Sequence, residues 1–513
     1  MDQTSIQRLL VADAFPHPVT DFQLIETHIS WVILTGDFAY KIKKPVDLEF
    51  LDFRELARRE HYCNEELQLN RRYTPEIYLD VVPVTGTDEA PHIGGAGPVL
   101  DYAVKMQQFD TANLLDSVSK AGGLDTHLVR SIASELARSH HDFPSVSATD
   151  NPAAMRAAMF QNFDQVREYA IDDAAIAQLD SLEAWTRTHI ARLLPLMTER
   201  VQQGSVKDLH GDLHLNNMVV LDGKVRFFDC IEFNEHFRVM DTIAEIAFVA
   251  MDMADRGESA QQVLNDYFEY SGDYAGLPLL NLYRVYFAMV RAKVNLMREP
   301  TSNSEVQATA AYQNFTRFVK LALSYTADKP PFVALMHGVS GSGKSTIAAQ
   351  VAQHFGAIRL RSDVERKRLF GLSPDDSSEA IKADIYTAQA SENTFERLAA
   401  LAHGVIDAGL PCIVDATFLE QAARKPFIDL GRELDVALII LDCIAAQDII
   451  VARLRHRTQR ASDASEADIE IMQKQLSALE PFDANETQYV VTIDSEQPFD
   501  GTPIEQRLEQ RAA

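Results

Sequence analysis

The sequence predicts an α/β multidomain chain, and three observations carry that prediction. Its 513 residues are more than one ordinary core accommodates. Up to about residue 325, short strand-like runs lead into long helical patterns, an α+β order. After Thr326-Ala-Asp-Lys-Pro-Pro331, five apolar strand-like runs alternate with helices. That alternation reads as βαβ units forming a five-stranded parallel sheet covered on both faces. Two prolines before a strand mark a linker, so the expected domains are 1–327 and 328–513.

The first elements are strands. Residues 23–40 alternate apolar and polar, and Thr35-Gly36-Asp37 reads as a hairpin turn. The next strand ends in Tyr40-Lys41-Ile42-Lys43-Lys44, stopped by Pro45. Residues 52–72 have helical periodicity. Residues 81–84 and 99–106 read as a strand pair joined by a loop containing Gly94-Gly95-Ala96-Gly97-Pro98. Helical patterns then cover 128–140, 152–168 and 174–201.

A cluster of chemistry-bearing residues follows at 206–233. It contains His210-Gly211-Asp212-Leu213-His214-Leu215-Asn216-Asn217, an apolar run, Asp222-Gly223, a second apolar run and Asp229. Asp-Gly between two apolar runs is a strong hairpin signal. A hairpin returns the chain to its starting end, so Asn217 and Asp229 meet there, with Asp212 in the loop just before them. Two carboxylates and an amide converging on one spot can bind Mg²⁺ and orient an attacking hydroxyl. Loop residues that merely cap turns would explain any one of these side chains, but not the whole set. Asp241 is expected to buttress this loop, and His140-His141 to be a structural pair at a helix end.

His210-Gly-Asp212-Leu-His214-Leu-Asn-Asn217 followed by Asp229 resembles the catalytic loop and metal aspartate of aminoglycoside phosphotransferases, and the likeness extends more weakly over residues 20–300. The resemblance implies a protein-kinase-like, two-lobed α+β fold for the N-terminal half. It implies that Asp212 is the catalytic aspartate and that Asn217 and Asp229 bind Mg²⁺. Lys41 would pair with the ATP phosphates, with Lys43 as its rival on the same strand face. The partner glutamate would be Glu66 or Glu60, and residues 107–109 the adenine hinge. One departure stands out: no G-x-G-x-x-G loop lies between the first strands, where only residues 27–30 are available to cover the phosphates.

The C-terminal half opens on the most specific motif in the chain. Gly338-Val339-Ser340-Gly341-Ser342-Gly343-Lys344-Ser345-Thr346 fits G-x-x-x-x-G-K-[ST], the phosphate-binding P-loop, with an apolar run before it and a helix-compatible run after it. The glycines let backbone N–H groups wrap phosphate oxygens, and the positive end of the next helix faces the same anion. Lys344 can reach the β- and γ-phosphates and Ser345 can hold Mg²⁺. A bare Gly/Ser turn would leave unexplained why Lys-Ser-Thr opens the helix.

Strands are expected at 332–337, 357–360, 412–414, 436–441 and 489–493. Ligands of such sheets sit at the carboxyl ends of the strands. There the sequence places Arg361-Ser362-Asp363-Val-Glu-Arg366, Asp415-Ala-Thr417, and a basic helix with Arg453 and Arg457. Asp363 is placed to accept the proton of a substrate hydroxyl. Arg366, Arg453 and Arg457 are placed to neutralise a transferring phosphoryl group. Asp415 is the candidate carboxylate for Mg²⁺ beside Ser345.

These motifs look like the small P-loop kinases, which include polynucleotide 5′-hydroxyl kinase, gluconate kinase and the zeta-toxin kinases. The Asp363/Arg366 spacing is similar to the polynucleotide kinase pattern, which implies an aspartate that activates the hydroxyl and an arginine that holds a neighbouring phosphate. The order of the halves resembles bacterial fusions of an aminoglycoside-phosphotransferase-like domain with a P-loop kinase domain, often labelled AAA family ATPases. Together they imply a bifunctional enzyme using ATP and Mg²⁺. Its acceptors would be a hydroxyl-bearing small molecule at the first site, and a small molecule or a nucleic-acid 5′ end at the second. The alternative is a nucleotide-binding regulatory pseudokinase joined to one active P-loop half.

Composition narrows the classes further. A formal charge of −27 excludes nucleic-acid binding through the overall field, leaving only a local basic patch. No apolar stretch approaches the ~20 residues of a membrane helix, and no signal peptide is visible. Cys63, Cys230, Cys412 and Cys443 are far apart without metal-type spacing, as expected of free thiols in a reducing cytoplasm. No run of four apolar residues followed by Asp-Glu points to a motor ATPase.

Overall fold

The computed structural model describes residues 1–19, 21–48, 51–168, 172–297, 305–377, 385–460 and 469–512, with the side chains of 297, 305–309, 457–460, 511 and 512 excepted. The chain packs as two compact units. The first comprises Met1–Glu135, Ser139–Gln165 and Ile190–Glu258; the second comprises Leu136–Arg138, Val166–His189 and Ser259–Ala513. The second unit therefore takes in helices that precede the Thr326–Pro331 linker as well as the parallel sheet that follows it.

The first unit is built on a six-stranded antiparallel sheet, in spatial order Gln23–Glu26, Ser30–Leu34, Phe38–Lys43, Val99–Gln107, Tyr78–Thr87 and Ala90–Ile93. Its central strands have a period of two. Trp31, Ile33, Tyr40, Ile42 and Ala103 pack on one face with Ile6, Leu9 and Phe15. Ala39, Val104 and Met106 pack on the other with Cys63 and Leu67 of helix Leu56–Arg71. Lys41 and Lys43 alternate in step with Ala39, so they share the helix face. The helix starts later than its periodicity suggests, because Leu51–Asp52 pairs with Asp47–Leu48 as a short ladder. The expected pairing of 81–84 with 99–106 is present, with Val81 opposite Val104. An extra hairpin strand, Ala90–Ile93, lies in what reads as loop.

Helices Thr126–Asp142, Asn151–Arg167 and Asp173–Gln202 fall where the sequence places them. Strand Val206–Asp208 pairs antiparallel with Val239–Asp241. Between them lies the hairpin Met218–Leu221/Lys224–Phe227, turned at Asp222-Gly223 with φ of 49° and 74°. Two successive left-handed residues are what a two-residue hairpin turn demands.

The second unit carries a five-stranded, wholly parallel sheet in order Ile358–Arg361, Cys412–Asp415, Phe332–His337, Ala437–Ile444 and Val490–Asp494. One face buries Phe332, Ala334, Met336, Ile439 and Leu441 against Ile347 and Val351 of helix Lys344–Phe355. Its outer strand, Ile358–Arg361, is bordered by helix Ala260–Ser271. Asn265 donates from Nδ2 to the Ala357 carbonyl (3.1 Å) and accepts the Arg359 N–H on Oδ1 (2.9 Å), and Gln261 donates to the same carbonyl (2.8 Å). Glu269, fully buried on that helix, receives Arg359 Nη2 at 2.7 Å and Arg361 Nη1 at 3.3 Å. All four cysteines are buried free thiols, and among the described residues no helix is long and apolar enough to cross a membrane.

Candidate active sites

In the first unit the site grows from one strand face and one helix. Lys41 Nζ donates to Glu66 Oε1 at 2.8 Å and also to Asp229 Oδ1. Lys43 Nζ donates to Glu66 Oε2 at 2.7 Å and also to Glu232. The result is an alternating ionic chain, Asp229–Lys41–Glu66–Lys43–Glu232. Glu66 and Lys43 are almost completely buried, whereas the Asp229 side chain is 44% exposed at the open end. Both lysines left open by the sequence thus meet Glu66; Glu60 hydrogen-bonds Tyr102 instead.

The charges sustain one another. Burial opposes the Lys41 ammonium, but Asp229 and Glu66 raise its pKa well above that of an ordinary lysine. Burial likewise opposes ionisation of Asp229 and Glu66, and the lysines overcome it, holding both carboxyls below their usual range. Glu232, at the far end of the ionic chain from Asp229, is pushed upward, with burial the largest cause.

The loop ahead of the hairpin is fixed from beneath. Glu245 Oε1 accepts the N–H groups of His210 (2.8 Å) and Gly211 (3.3 Å), and its other oxygen meets His140 Nε2 at 3.0 Å. Asp252 accepts Leu215 N–H at 3.1 Å. The buttress is therefore Glu245 and Asp252; Asp241 is occupied by Arg200 and by capping Ile243 N–H. His210 Nε2 donates to the Phe228 carbonyl at 2.8 Å, so Nδ1 is the acceptor facing Asp212 N–H. Burial lowers its pKa and keeps the ring neutral. Asn217 Nδ2 donates to the Asp212 carbonyl (2.9 Å), and its own carbonyl accepts Phe228 N–H (3.1 Å). The hairpin thereby brings Asp212, Asn217 and Asp229 to one end. Asp229 sits in the left-handed region at φ 62°, its N–H donated to Tyr78 Oη at 3.0 Å. A residue held there is the kind of local strain found at functional loops.

Segment 107–109, expected from the resemblance to be the adenine hinge, also has a defined environment. Gln108 Oε1 accepts Thr35 and Gly36 N–H groups, each at 3.0 Å. Beside it a cavity of about 340 Å³ is lined by Gln23, Leu34, Gly36, Gln108, Phe109, Asp110 and Thr111.

In the second unit the P-loop leaves strand Phe332–His337 and enters helix Lys344–Phe355 through Gly343. Gly338, Gly341 and Gly343 have φ of 129°, 85° and 95°. A Cβ on Gly338 would lie 2.7 Å from the Cys443 carbonyl, and one on Gly343 2.7 Å from Ser495 Cβ, so these positions require glycine. Lys344 Nζ donates to the Val339 carbonyl at 2.8 Å. Ser345 and Thr346 are exposed at the helix start. Ser342 Oγ and Asp415 Oδ2 are buried, with no hydrogen-bond partner among the described residues. Asp415 ends its strand level with Arg361. This donor set fits Mg²⁺ with a nucleotide: a carboxylate and a hydroxyl, with the remaining ligands drawn from phosphate and water. The same holds for Asp212, Asn217 and Asp229 in the first unit.

The arginines divide. Arg453 Nη1 and Nη2 donate to Ser495 Oγ (2.8 Å) and its carbonyl (2.9 Å), directly against Gly343. Arg366 is turned to the segment after its helix, donating to Ser391 Oγ at 3.1 Å and the Ile385 carbonyl at 3.3 Å. Asp363 lies in the first turn of the same helix, Ser362–Leu369, two residues beyond the strand end. The Arg457 side chain lies outside the described residues.

Sequence reading missed Glu232, Glu245, Asp252, Glu269 and Gln475, the last of which accepts Ser340 N–H on Oε1 at 2.7 Å. Only Glu245, three residues into a helix opened by Asp241, had a local signal, that of a helix start.

Residues 333–482 match the family model described as an AAA domain. An uncharacterised protein of Mycobacterium tuberculosis (strain ATCC 25618 / H37Rv) is 29% identical over 462 residues, covering 88% of this chain and 89% of its own. A Mycobacterium bovis protein, also uncharacterised, aligns with the same figures. Among solved structures, a gluconokinase from Sinorhizobium meliloti 1021 covers 36% of this chain and 93% of its own, at 20% identity and TM-score 0.25. Choline kinase from Cryptosporidium parvum Iowa II covers 63% and 96%, at 11% identity and TM-score 0.38. The GDP complex of aminoglycoside 2′-phosphotransferase-IIIa covers 62% and 99%, at 12% and 0.39. The AAA-domain match thus spans the P-loop and four of the five strands of the parallel sheet.

Proposed function

We propose that this chain is an ATP-dependent phosphotransferase with two Mg²⁺–ATP sites, each serving a hydroxyl acceptor. The observation that carries the reading is Lys41 held between Glu66 and Asp229, with Asn217 tied to Asp212 at the same hairpin end. In such a site Lys41 binds the ATP phosphates and Asn217 and Asp229 hold Mg²⁺. Asp212 orients and deprotonates the acceptor hydroxyl of a small molecule. In the second unit the glycines and Lys344 take the phosphates, with Ser345, Thr346 and Asp415 on the metal side. Arg453 stabilises charge beside Gly343, and Asp363 with Arg366 serves the acceptor, a small molecule or a nucleic-acid 5′-hydroxyl. ATP and Mg²⁺ are the shared donor, and the cytoplasm is the compartment that free buried thiols suit. The halves divide functionally near 327/328.

One observation favours a second reading, in which the first unit only binds nucleotide. The turn between its first two strands, Thr27-His28-Ile29, is closed by Thr27 on Ser30 and contains no glycine to approach phosphates. ATP consumption by Asp212→Ala and Lys344→Ala, each against wild type, separates the two. Each variant is expected to lose part of the turnover. Full turnover in Asp212→Ala together with none in Lys344→Ala would sink the two-site reading.

A further inference from the structure

The P-loop reading reserves the loop's backbone N–H groups for phosphate. Gly338 and Ser342 N–H groups donate to backbone carbonyls, of Thr417 and Val339, and another is held by a side chain. Ser340 N–H donates to Gln475 Oε1 at 2.7 Å, and Ser340 is buried. Gln475 belongs to helix Ile469–Ala478, and Met472, one turn earlier, is buried against Val339. Positions three apart share a helix face, so this helix presents Met472 and Gln475 to two consecutive P-loop residues. The segment just past the helix is fastened elsewhere. Glu480 N–H donates to the Leu419 carbonyl (3.0 Å), and its carboxylate accepts Gln421 N–H (2.6 Å). Leu419 packs in the same cluster as Val339 and Met472. Residues 416–421 follow the strand that ends in Asp415, and Thr417 returns to the P-loop by accepting Gly338 N–H at 3.3 Å.

We infer that Gln475 is a positioning residue that competes with the nucleotide's phosphate for Ser340 N–H and passes the exchange to loop 416–421. The inference rests on nucleotide binding at the P-loop. A buried N–H is costly without an acceptor. Gln475 supplies that acceptor until an anion takes its place, and its displacement loosens the last turn of a helix whose C-terminal extension, at Glu480, holds the loop that follows Asp415. Nucleotide arrival is thereby communicated to the acceptor side of the sheet.

The test uses the full-length chain and a non-hydrolysable ATP analogue, with Lys41→Met in the background to remove nucleotide binding from the first unit. Q475A removes the competitor and is expected to bind roughly three- to tenfold more tightly, the worth of one hydrogen bond. Q475E keeps an acceptor, adds charge repelling phosphate, and is expected to bind more weakly by a similar factor. A merely structural glutamine would weaken binding in both. Hydrogen exchange is the second readout. The analogue should change protection at 416–421 in wild type, and Q475A should show the altered protection before any nucleotide is added. Q475A and Q475E shifting together, or unchanged protection at 416–421, overturns the inference. Absence of analogue binding in the Lys41→Met background, restored in no variant, overturns the P-loop reading itself.

Discussion

Lys41 and Lys43 share a single carboxylate: Glu66 Oε1 takes the first lysine and Oε2 the second. The two cations are nonetheless unequal. Lys41 leads out to the half-exposed Asp229, and Lys43 leads inward to the buried Glu232. Lys41→Met should lower first-site turnover roughly a hundredfold or more, as losing a charge-stabilising donor does, with a modest change in melting temperature. Lys43→Met should do the opposite. It strands Glu232 without its cation, and breaking a buried pair costs about 3–5 kcal/mol. Turnover and thermal melts on both variants check the contrast.

His210 gives the fold a pH dependence above the carboxylate range. Its burial lowers the folded pKa below the ordinary 6.5. The unfolded chain therefore takes up a proton first as pH falls, and stability declines with it. Melting temperature should drop between about pH 6.5 and 5, before the depressed Glu66 and Asp229 begin to protonate. His210→Gln should flatten that segment while leaving the steeper loss at lower pH, where those two carboxylates lose the stability they contribute above it. Melts at closely spaced pH values read this directly.

Gly343→Ala should weaken nucleotide binding in the second unit. The added methyl meets Ser495 in a left-handed backbone position, and relief requires moving Ser495 and with it Arg453. A loss of roughly a hundredfold in analogue affinity is expected, since φ strain and misplaced loop donors add. Calorimetric titration in the Lys41→Met background measures it.

What the sequence conveyed and what it withheld follow one physical line. Asp212, Asn217 and Asp229 were legible because a hairpin with an Asp-Gly turn converts sequence spacing into proximity. The P-loop was legible because glycine, lysine and hydroxyl residues lie within nine positions. Glu66 could be narrowed to two candidates by helix position but not chosen, since the choice depends on how the helix rotates against the sheet. Glu232, Asp252 and Gln475 act on partners 37 to 189 residues away. No local pattern records such distances. Asp241 was assigned to the loop because it opens the neighbouring helix, yet Arg200, from a helix ending just before the loop, claims its carboxylate.

Glu269→Ala should destabilise the second unit by about 3–5 kcal/mol, because it removes the buried carboxylate that both Arg359 and Arg361 meet. Glu269→Gln, which keeps an acceptor, should retain part of that stability. Chemical denaturation of the full chain, followed by a probe in the P-loop unit, distinguishes them.

Asn265 answers the outer strand of the parallel sheet as a neighbouring strand would, giving an acceptor to the Arg359 amide and a donor to the Ala357 carbonyl. An uncovered strand edge invites pairing with other chains. A fragment cut at the Pro330-Pro331 linker carries that edge bare, whereas one beginning at Ser259 keeps it sealed; recombination at the linker would hand on a P-loop domain prone to self-association. The cut that leaves the edge of the parallel sheet covered therefore lies some seventy residues upstream of the prolines.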